Sequence, residues 1–315
     1  MNPTLPPELA AALERALTGV PRKGLAAAAQ KMSAGYRQGD TSRGIVTAED
    51  ALAYAVARMP ATYAACAAVF ARLAEVMPDF TPSSLLDVGA GTGAASWAAR
   101  IAWPGISGIT MLDHNPALRA LARRLAEEGG LSGVEIAQGD LAAADGNADL
   151  VVASYALAEL PEEKAASVAI DLWQQAGGVL ALIEPGTPQG FARIRAARAA
   201  LIEAGAHVAA PCTHDNACPM TGDDWCHFSQ RLPRSRDHML LKDADVPFED
   251  ERYAYVVVTR DVIVSGARIL APPLESKPGL TFKLCDATGL RSAFVAVRDK
   301  SEYRRVRKLG WGDRV

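Results

Sequence analysis

The sequence predicts an α/β protein: a doubly wound, mostly parallel sheet, preceded by a helical region and followed by a cysteine-rich and then a β-rich part. From Ser84 onward, short β-branched or Leu-rich runs alternate with segments of three- and four-residue apolar spacing, the texture of βαβ units. A glycine-rich turn, "LLDVGAGTGAAS", joins the first such run to the first such helix. Residues 1–80 then form an N-terminal helical region, 81–205 the α/β core, 206–250 a cysteine-rich insertion, and 251–315 the last core strand or strands with a small β-rich region and a basic tail. No internal repeat or low-complexity linker interrupts the pattern.

The elements follow in order. From Pro6 to about Met77, "PELAAALERAL", "GLAAAAQKMSAGYR" and "TAEDALAYAVARMPATYAACAAVFARLAEVM" carry helical periodicity. Thr47 followed by Asp50 marks a helix start, and Pro60 predicts an end or kink at Met59. Cys66 lies on an apolar stripe, which predicts a small buried core residue. The strand candidates are "SLLDVG", "GITMLDH", "VEIAQGD", "ADLVVASY" and "GVLALIEPG". Between them "AASWAARIAW", "PALRALARRLAEEG" and "EEKAASVAIDLWQQAG" read as helices, the second closing at Gly129–Gly130. A helix, "FARIRAARAALIEAG", precedes the cysteines; after them "YAYVVVTRD" is a strand, and "ARIL", "GLTFKLCD" and "RSAFVAVRD" form the β-rich ending.

Composition bounds the function. The chain has 315 residues, half of them apolar, enough for a well-buried core. A formal net charge of −3 and a pI near 6.0 exclude a globally basic nucleic-acid coat and leave local basic faces open. The first residues lack a basic start with an apolar h-region, and they carry Glu8 and Glu14, which transit peptides avoid; the expected location is bacterial cytoplasm. No window approaches the roughly 18 uninterrupted apolar residues of a membrane span. A monomer with no membrane partner is expected. Five cysteines, an odd number, argue against a disulfide framework and for ligation of a metal or cluster where they group.

The glycine turn sits where backbone must approach a ligand closely. A dinucleotide fingerprint runs G-x-G-x-x-G, whereas Gly89, Gly91 and Gly93 run G-x-G-x-G, with Asp87 two residues before the first glycine. That arrangement resembles motif I of class I S-adenosylmethionine-dependent methyltransferases, which have a Rossmann-like fold. Asp113 ends the second strand, 22 residues beyond Gly91, where a carboxylate can accept both ribose hydroxyls. Asp140 ends the third, where in the family's pattern a carboxylate meets the adenine amino group. An NAD enzyme is disfavoured because the third glycine comes early and no hydride-transfer constellation follows.

The end of the fourth strand faces the sulfonium methyl in this fold, and here it reads "ASYALAELP". Amino-directed methyltransferases usually carry Asn or Asp followed by Pro-Pro-Tyr there, and Ser154 and Tyr155 depart from it. Cytosine-C5 RNA enzymes need a thiolate nucleophile, and no cysteine lies at the ends of strands four or five. Glu184 in "EPGTPQG" is a candidate base or positioning group, or a turn residue. Methyl transfer from a sulfonium can proceed through proximity and alignment, so no catalytic residue is assigned.

Cys212, Cys218 and Cys226 are spaced C-x5-C-x7-C, and Cys285 can complete a tetrad. Structural zinc favours C-x2–4-C knuckles, which are absent; long loops suit a four-iron cluster, but the spacing lies outside the ferredoxin patterns. Chemistry alone leaves iron–sulfur and zinc open. His227 adjoins Cys226 and reads as a neighbour of the site rather than a ligand, while His214 and His238 read as surface or hydrogen-bonded histidines.

"PCTHDNACPM", "DWCHFSQRLPRSR", "LLKDADVPFEDERYAYVVVTR" and "YRRVRKLGWGD", joined to "LLDVGAGTGAASWAA" and "EPGTPQG", closely resemble the Rsm-twenty-two family over roughly residues 50 to 313. These are mitochondrial small-ribosomal-subunit assembly, methyltransferase-like proteins with bacterial relatives. The resemblance implies a class I methyltransferase fold, a [4Fe–4S] cluster on Cys212, Cys218, Cys226 and Cys285, and action on small-subunit ribosomal RNA or the assembling particle. On this reading Asp87, Gly89, Gly91, Gly93, Asp113 and Asp140 hold S-adenosylmethionine. The rival readings are a non-catalytic assembly factor that keeps the fold, and a zinc-stapled small-molecule methyltransferase. Two basic runs, Arg231, Arg234, Arg236 and Lys242, then Arg304, Arg305, Arg307 and Lys308 beside Tyr303 and Trp311, are candidates for contact with structured RNA. Folding of the cluster with the β-rich tail would draw both runs towards one face.

Overall fold

The computed structural model describes residues 3–37, 42–139, 147–262 and 266–315. Three helices open the chain: α1 (Pro7–Ala16), α2 (Arg22–Arg37) and α3 (Ala48–Val76). Thr47 starts α3 through a capping box, its hydroxyl accepting from Asp50 N at 3.1 Å while the Asp50 carboxylate accepts from Thr47 N at 2.9 Å. Of the two outcomes expected at Pro60, an end or a kink, the end does not occur: the helix runs on through Pro60. An interior proline costs about 3 kcal/mol. Burial of Leu52, Val56, Met59, Tyr63, Phe70 and Leu73, at roughly 1.5–3 kcal/mol each, outweighs that cost. By length and composition α3 would also cross a bilayer, but most of its apolar window is buried inside the fold, where it serves as a core helix. Cys66 sits fully buried on it.

The α/β core follows as β1 (Ser84–Val88), α4 (Ala94–Ala102), β2 (Gly108–Asp113), α5 (Pro116–Gly129), β3 (Val134–Gln138), β4 (Ala148–Ser154), α6 (Ala165–Gln175), β5 (Ala176–Pro185) and α7 (Pro188–Glu203). All five predicted strands form, and Gly130 closes α5 in the left-handed conformation at φ +72°. Next come β6 (His207–Ala210), β7 (Phe228–Pro233), α8 (Arg236–Lys242) and β8 (Phe248–Thr259). The main sheet runs β3-β2-β1-β4-β5-β8-β6, with β7 also on β8. Strands β1 to β5 pair in parallel, and β8 runs antiparallel to β5. This is the doubly wound sheet of class I methyltransferases. Helices α3, α4 and α5 pack together, and α6 packs with α7, one group for each face of the sheet.

One edge of β8 explains how the cysteine segment is held. Its C-terminal half pairs with β6 and its N-terminal half with β7. The chain between them, which carries three cysteines, leaves the sheet and returns to the same strand. Residues 206–250 are therefore woven into the main sheet at both ends. The β-rich ending forms a second sheet, β9 (Arg268–Ile269), β10 (Leu274–Ser276), β11 (Gly279–Asp286) and β12 (Gly289–Ala296). Ile269, Leu280, Phe282 and Leu284 pack there against Val306 of α9 (Lys300–Val306).

Candidate cofactor pocket and cysteine centre

The strand order reverses between β1 and β4, so the crevice where ligands bind in such sheets lies at the C-terminal ends of these strands. The glycine turn leaves β1 there. Gly89, Gly91 and Gly93 have φ of +71°, +55° and +86°, a region that L side chains rarely adopt. A Cβ on Gly91 would meet nothing within 4 Å, so the turn leaves open space on that side. Gly89 N and Ala90 N donate to Leu112 O at 2.8 and 3.0 Å, which fixes the turn against the end of β2.

Asp87 is fully buried. Its Oδ2 accepts from Ser96 N at 3.1 Å and Ser96 Oγ at 2.7 Å, while Oδ1 has no partner. Burial pushes the carboxyl up to about 6. Asp113 accepts from Gly91 N at 2.7 Å through Oδ2 and from Asn115 N at 2.7 Å through Oδ1. It stands at the glycine turn as predicted, with part of each oxygen's capacity spent on backbone N–H groups. Asp140 lies outside the described residues.

Several neighbours were not legible from the sequence. Asn115 caps α5 and donates through Nδ2 to Ser42 O and Ile45 O, both at 2.9 Å. Ser42 in turn gives its N–H (3.1 Å) and hydroxyl (2.8 Å) to Glu159. The segment before α3 is thus tied across the ends of β2 and β4. The single signal for this was Asn115 itself, a cap residue followed by proline. Tyr54 and Arg58, one turn apart on α3, reach the same polar region, where Arg58 lies 3.6 Å from Glu251 of β8. An arginine within an Ala-rich buried helix was the only clue in the sequence.

Tyr155 follows β4 with φ +57°, strained for a residue with a bulky side chain. Its hydroxyl donates to Glu251 Oε1 at 2.7 Å, and its phenol is held well above the usual range by burial and the Glu251 charge. Glu184 at the end of β5 is fully buried. Oε1 accepts from Leu157 N at 2.9 Å and Oε2 has no partner; burial pushes the carboxyl up to about 8. The polar groups at the ends of β4 and β5 are therefore engaged within the protein or held neutral.

The second feature is a cavity lined by all four candidate cysteines, Cys212, Cys218, Cys226 and Cys285. Trp225 Nε1 donates to Gly186 O at 3.1 Å, joining the cysteine loop to the turn after Glu184. Asp215 holds the loop to β6, accepting from His207 and Val208 N at 2.8 Å each, and Asn216 Nδ2 donates to Ala287 O at 3.0 Å in the second sheet. Burial pushes the thiols of Cys212, Cys226 and Cys285 up, Cys285 to about 12. His214 is buried, with Nε2 3.7 Å from Cys285 Sγ. His227 stacks on Trp225 and meets Trp311 edge-on, beside the site as expected. His238 is buried, Nε2 lying 3.2 Å from Glu249 in poor hydrogen-bond alignment. Among the described residues no three Cys, His, Asp or Glu side chains close onto a single ion.

Most of the first basic run is paired with acids. Arg231 forms two 2.8 Å bonds to Asp250 and lies over Phe248, and Arg234 and Lys242 both pair with Glu249. Arg305 pairs with Glu302. Arg236, Arg304, Arg307 and Lys308 are exposed, and among the described residues none makes an ion pair within 4 Å. The runs also have different neighbours: α8 packs on α2 and α3, and α9 on β12.

The profile of the family "Mitochondrial small ribosomal subunit Rsm22" matches residues 48–315. The chain is 27% identical over 285 residues to the human mitochondrial ribosome assembly protein METTL17, covering 83% of this chain and 61% of that protein. It is 27% identical over 332 residues to the Rsm22-cox11 tandem protein 2, mitochondrial, of Schizosaccharomyces pombe, covering 87% and 44%. The chain therefore spans about three fifths of the human relative and less than half of the yeast one. It is also similar to the solved magnesium protoporphyrin IX methyltransferase of Synechocystis, with a TM-score of 0.44 and 14% identity over 64% of this chain and 84% of that one.

Proposed function

The chain belongs to the mitochondrial small ribosomal subunit Rsm22 family, and from that premise we propose that it is a methyltransferase-like protein of small-ribosomal-subunit assembly that binds S-adenosylmethionine and carries a [4Fe–4S] cluster. The observation that carries this reading is the meeting of four cysteines, from two separate parts of the chain, in the lining of one cavity. Burial disfavours the bare thiolates of Cys212, Cys226 and Cys285. A bound core replaces thiol protons and is the usual reason to collect four cysteines in one place. The cluster would be structural, joining the β6–β7 loop to the second sheet through Cys285.

S-adenosylmethionine, when bound, supplies an electrophilic methyl group. The chain's part would be to hold it: the left-handed glycine turn lets backbone approach, Asp113 would accept the ribose hydroxyls with its remaining lone pairs, and the buried Asp87, bonded to Ser96 at the start of α4, would brace the turn from behind. Asp140 is proposed for the adenine amino group. Tyr155 and Glu184 stand at the acceptor side.

A second reading, a non-catalytic assembly factor, is favoured by one observation: Tyr155 donates to Glu251 and Glu184 is buried, so neither offers a free base to an acceptor. Incubation of the full chain with immature small subunits and methyl-labelled S-adenosylmethionine separates the two. Incorporation that is abolished in Asp113→Ala establishes transfer. Saturable cofactor binding with no incorporation leaves the assembly role, and no cofactor binding at all contradicts the proposal.

A further inference from the structure

Three arginines line the cysteine cavity: Arg195 is exposed and donates to Met220 O, while Arg198 and Arg268 are buried and neither serves the cofactor pocket. Arg198 of α7 is 5% exposed and Arg268 of β9 is 1% exposed. Arg198 donates through one terminal nitrogen to His214 O (2.8 Å) and Asn216 O (2.9 Å), and its Nε has no partner. Arg268 donates to Pro211 O and Gly312 O, both at 2.8 Å, and its other terminal nitrogen has no partner. Antiparallel register sets Arg268 directly opposite Cys285. Among the described residues neither arginine pairs with a carboxylate within 4 Å. A guanidinium keeps its charge in proteins, and a buried charge without a counterion is strongly disfavoured. Among the described residues that line the cavity, the groups that can become anions are the four thiols and Tyr255, whose phenol burial pushes up to about 12.

We propose that Arg198 and Arg268 are the counterions of a tetrathiolate centre formed by Cys212, Cys218, Cys226 and Cys285, and that they set how tightly the centre holds its core. The inference rests on the metal-centre reading above. Four thiolates around a doubly positive core, a [4Fe–4S]2+ cluster or a single zinc ion, carry a net charge of minus two, which two guanidinium groups neutralise. As the core binds, each thiol releases its proton to solvent and its sulfur bonds to metal. The arginines act through the sulfurs and are positioning residues. Their backbone bonds also brace the loop on either side of Cys212, so loss of bracing must be separated from loss of charge.

The test uses the full chain, loaded anaerobically with equimolar ferrous and ferric iron plus sulfide, and in parallel with zinc. Arg198→Gln and Arg268→Gln remove charge; Arg198→Lys and Arg268→Lys keep it. The readouts are the rate of metal loss to a chelator and the gap in Tm between loaded and unloaded protein. The Gln variants should lose metal affinity by about 10- to 100-fold, the range for outer-shell partners of a metal site, and narrow the Tm gap; the Lys variants should recover much of both. A bracing role alone would lower both Tm values together and leave the gap and the loss rate unchanged, which overturns the proposal. Should a Gln variant fail to fold, a Lys variant that folds with the unloaded Tm of the parent but loses metal about 10-fold faster or more overturns it equally. A parent chain that takes up neither iron nor zinc removes the centre itself, and with it the counterion role.

Discussion

Glu184 is a carboxylic acid with one oxygen on a backbone N–H and the other unpartnered, and burial pushes it up to about 8. An ordinary Glu ionises near 4.5. Between these values the folded chain keeps a proton that the unfolded chain has released, so stability falls as pH rises from about 4.5 to 8 and levels off above. Glu184→Gln keeps the shape and removes the titration. It should flatten the decline between pH 5 and 8 and be relatively more stable at pH 8, by an amount on the order of a few kcal/mol at most. Urea unfolding at several pH values measures this, and an unchanged slope would contradict the burial argument. Asp87, raised to about 6 by burial, titrates in the lower part of the same window in both proteins and cancels in the comparison. Single residues were read unevenly from the sequence. Asp87, Asp113 and the glycines were legible because a turn between strand and helix constrains spacing. Arg58, Glu159 and Glu251 were not, because tertiary packing brings them together from α3, the turn after β4, and β8.

At the scale of elements, the glycine turn makes a separable prediction. Gly91→Ala costs stability only through its positive φ, roughly 1 kcal/mol, because its Cβ meets nothing. Gly93→Ala carries the same φ penalty, and its Cβ would come within 2.9 Å of Met111 Cε, the end of a flexible side chain that would have to shift. If the open side of Gly91 faces the cofactor, Gly91→Ala weakens S-adenosylmethionine binding at least about 10-fold, more than its stability loss alone produces. Calorimetric titration yielding the parental affinity would place the cofactor elsewhere. The elements that escaped sequence reading share a cause. Strand β6 has four residues, and β7, "FSQRLP", is an edge strand ending in proline with no clean alternation. Their register comes from β8, whose long β-branched run was the legible partner. Pro60 is the converse: local chemistry argued for an end or a kink, and burial along both halves of α3 carries the helix past it.

For the whole molecule, the doubly wound core was legible because βαβ periodicity recurs along the chain, whereas the joining of its parts was not. The cysteine segment is tied to the core by Trp225 and Asp215 and to the second sheet by Asn216 and Lys283, the last pairing with Asp224. Arg72 of α3 pairs with Asp313, which fastens the C-terminal stretch to the helical region. No spacing rule predicts such long-range bonds. Within the two basic runs Arg231, Arg234 and Lys242 pair with acids of β8, so among the described residues the unpaired charge of the first run is Arg236 alone and most of the rest lies on α9 and just beyond. Reversing Arg304, Arg307 and Lys308 to Glu should weaken binding to small-subunit RNA and lower the salt slope by about 1 for each phosphate no longer engaged. Reversing Arg231 should weaken binding less than reversing those three. Equal weakening from the two runs would contradict the assignment to α9.

The functional reading turns on four cysteines, distant in sequence, holding one metal core. Iron, acid-labile sulfide and zinc per chain, determined on anaerobically purified protein together with its visible spectrum, test it most directly. About four iron and four sulfide per chain with broad visible absorbance are expected, all absent from Cys285→Ser. Colourless protein with stoichiometric zinc, or with no metal, would contradict the cluster.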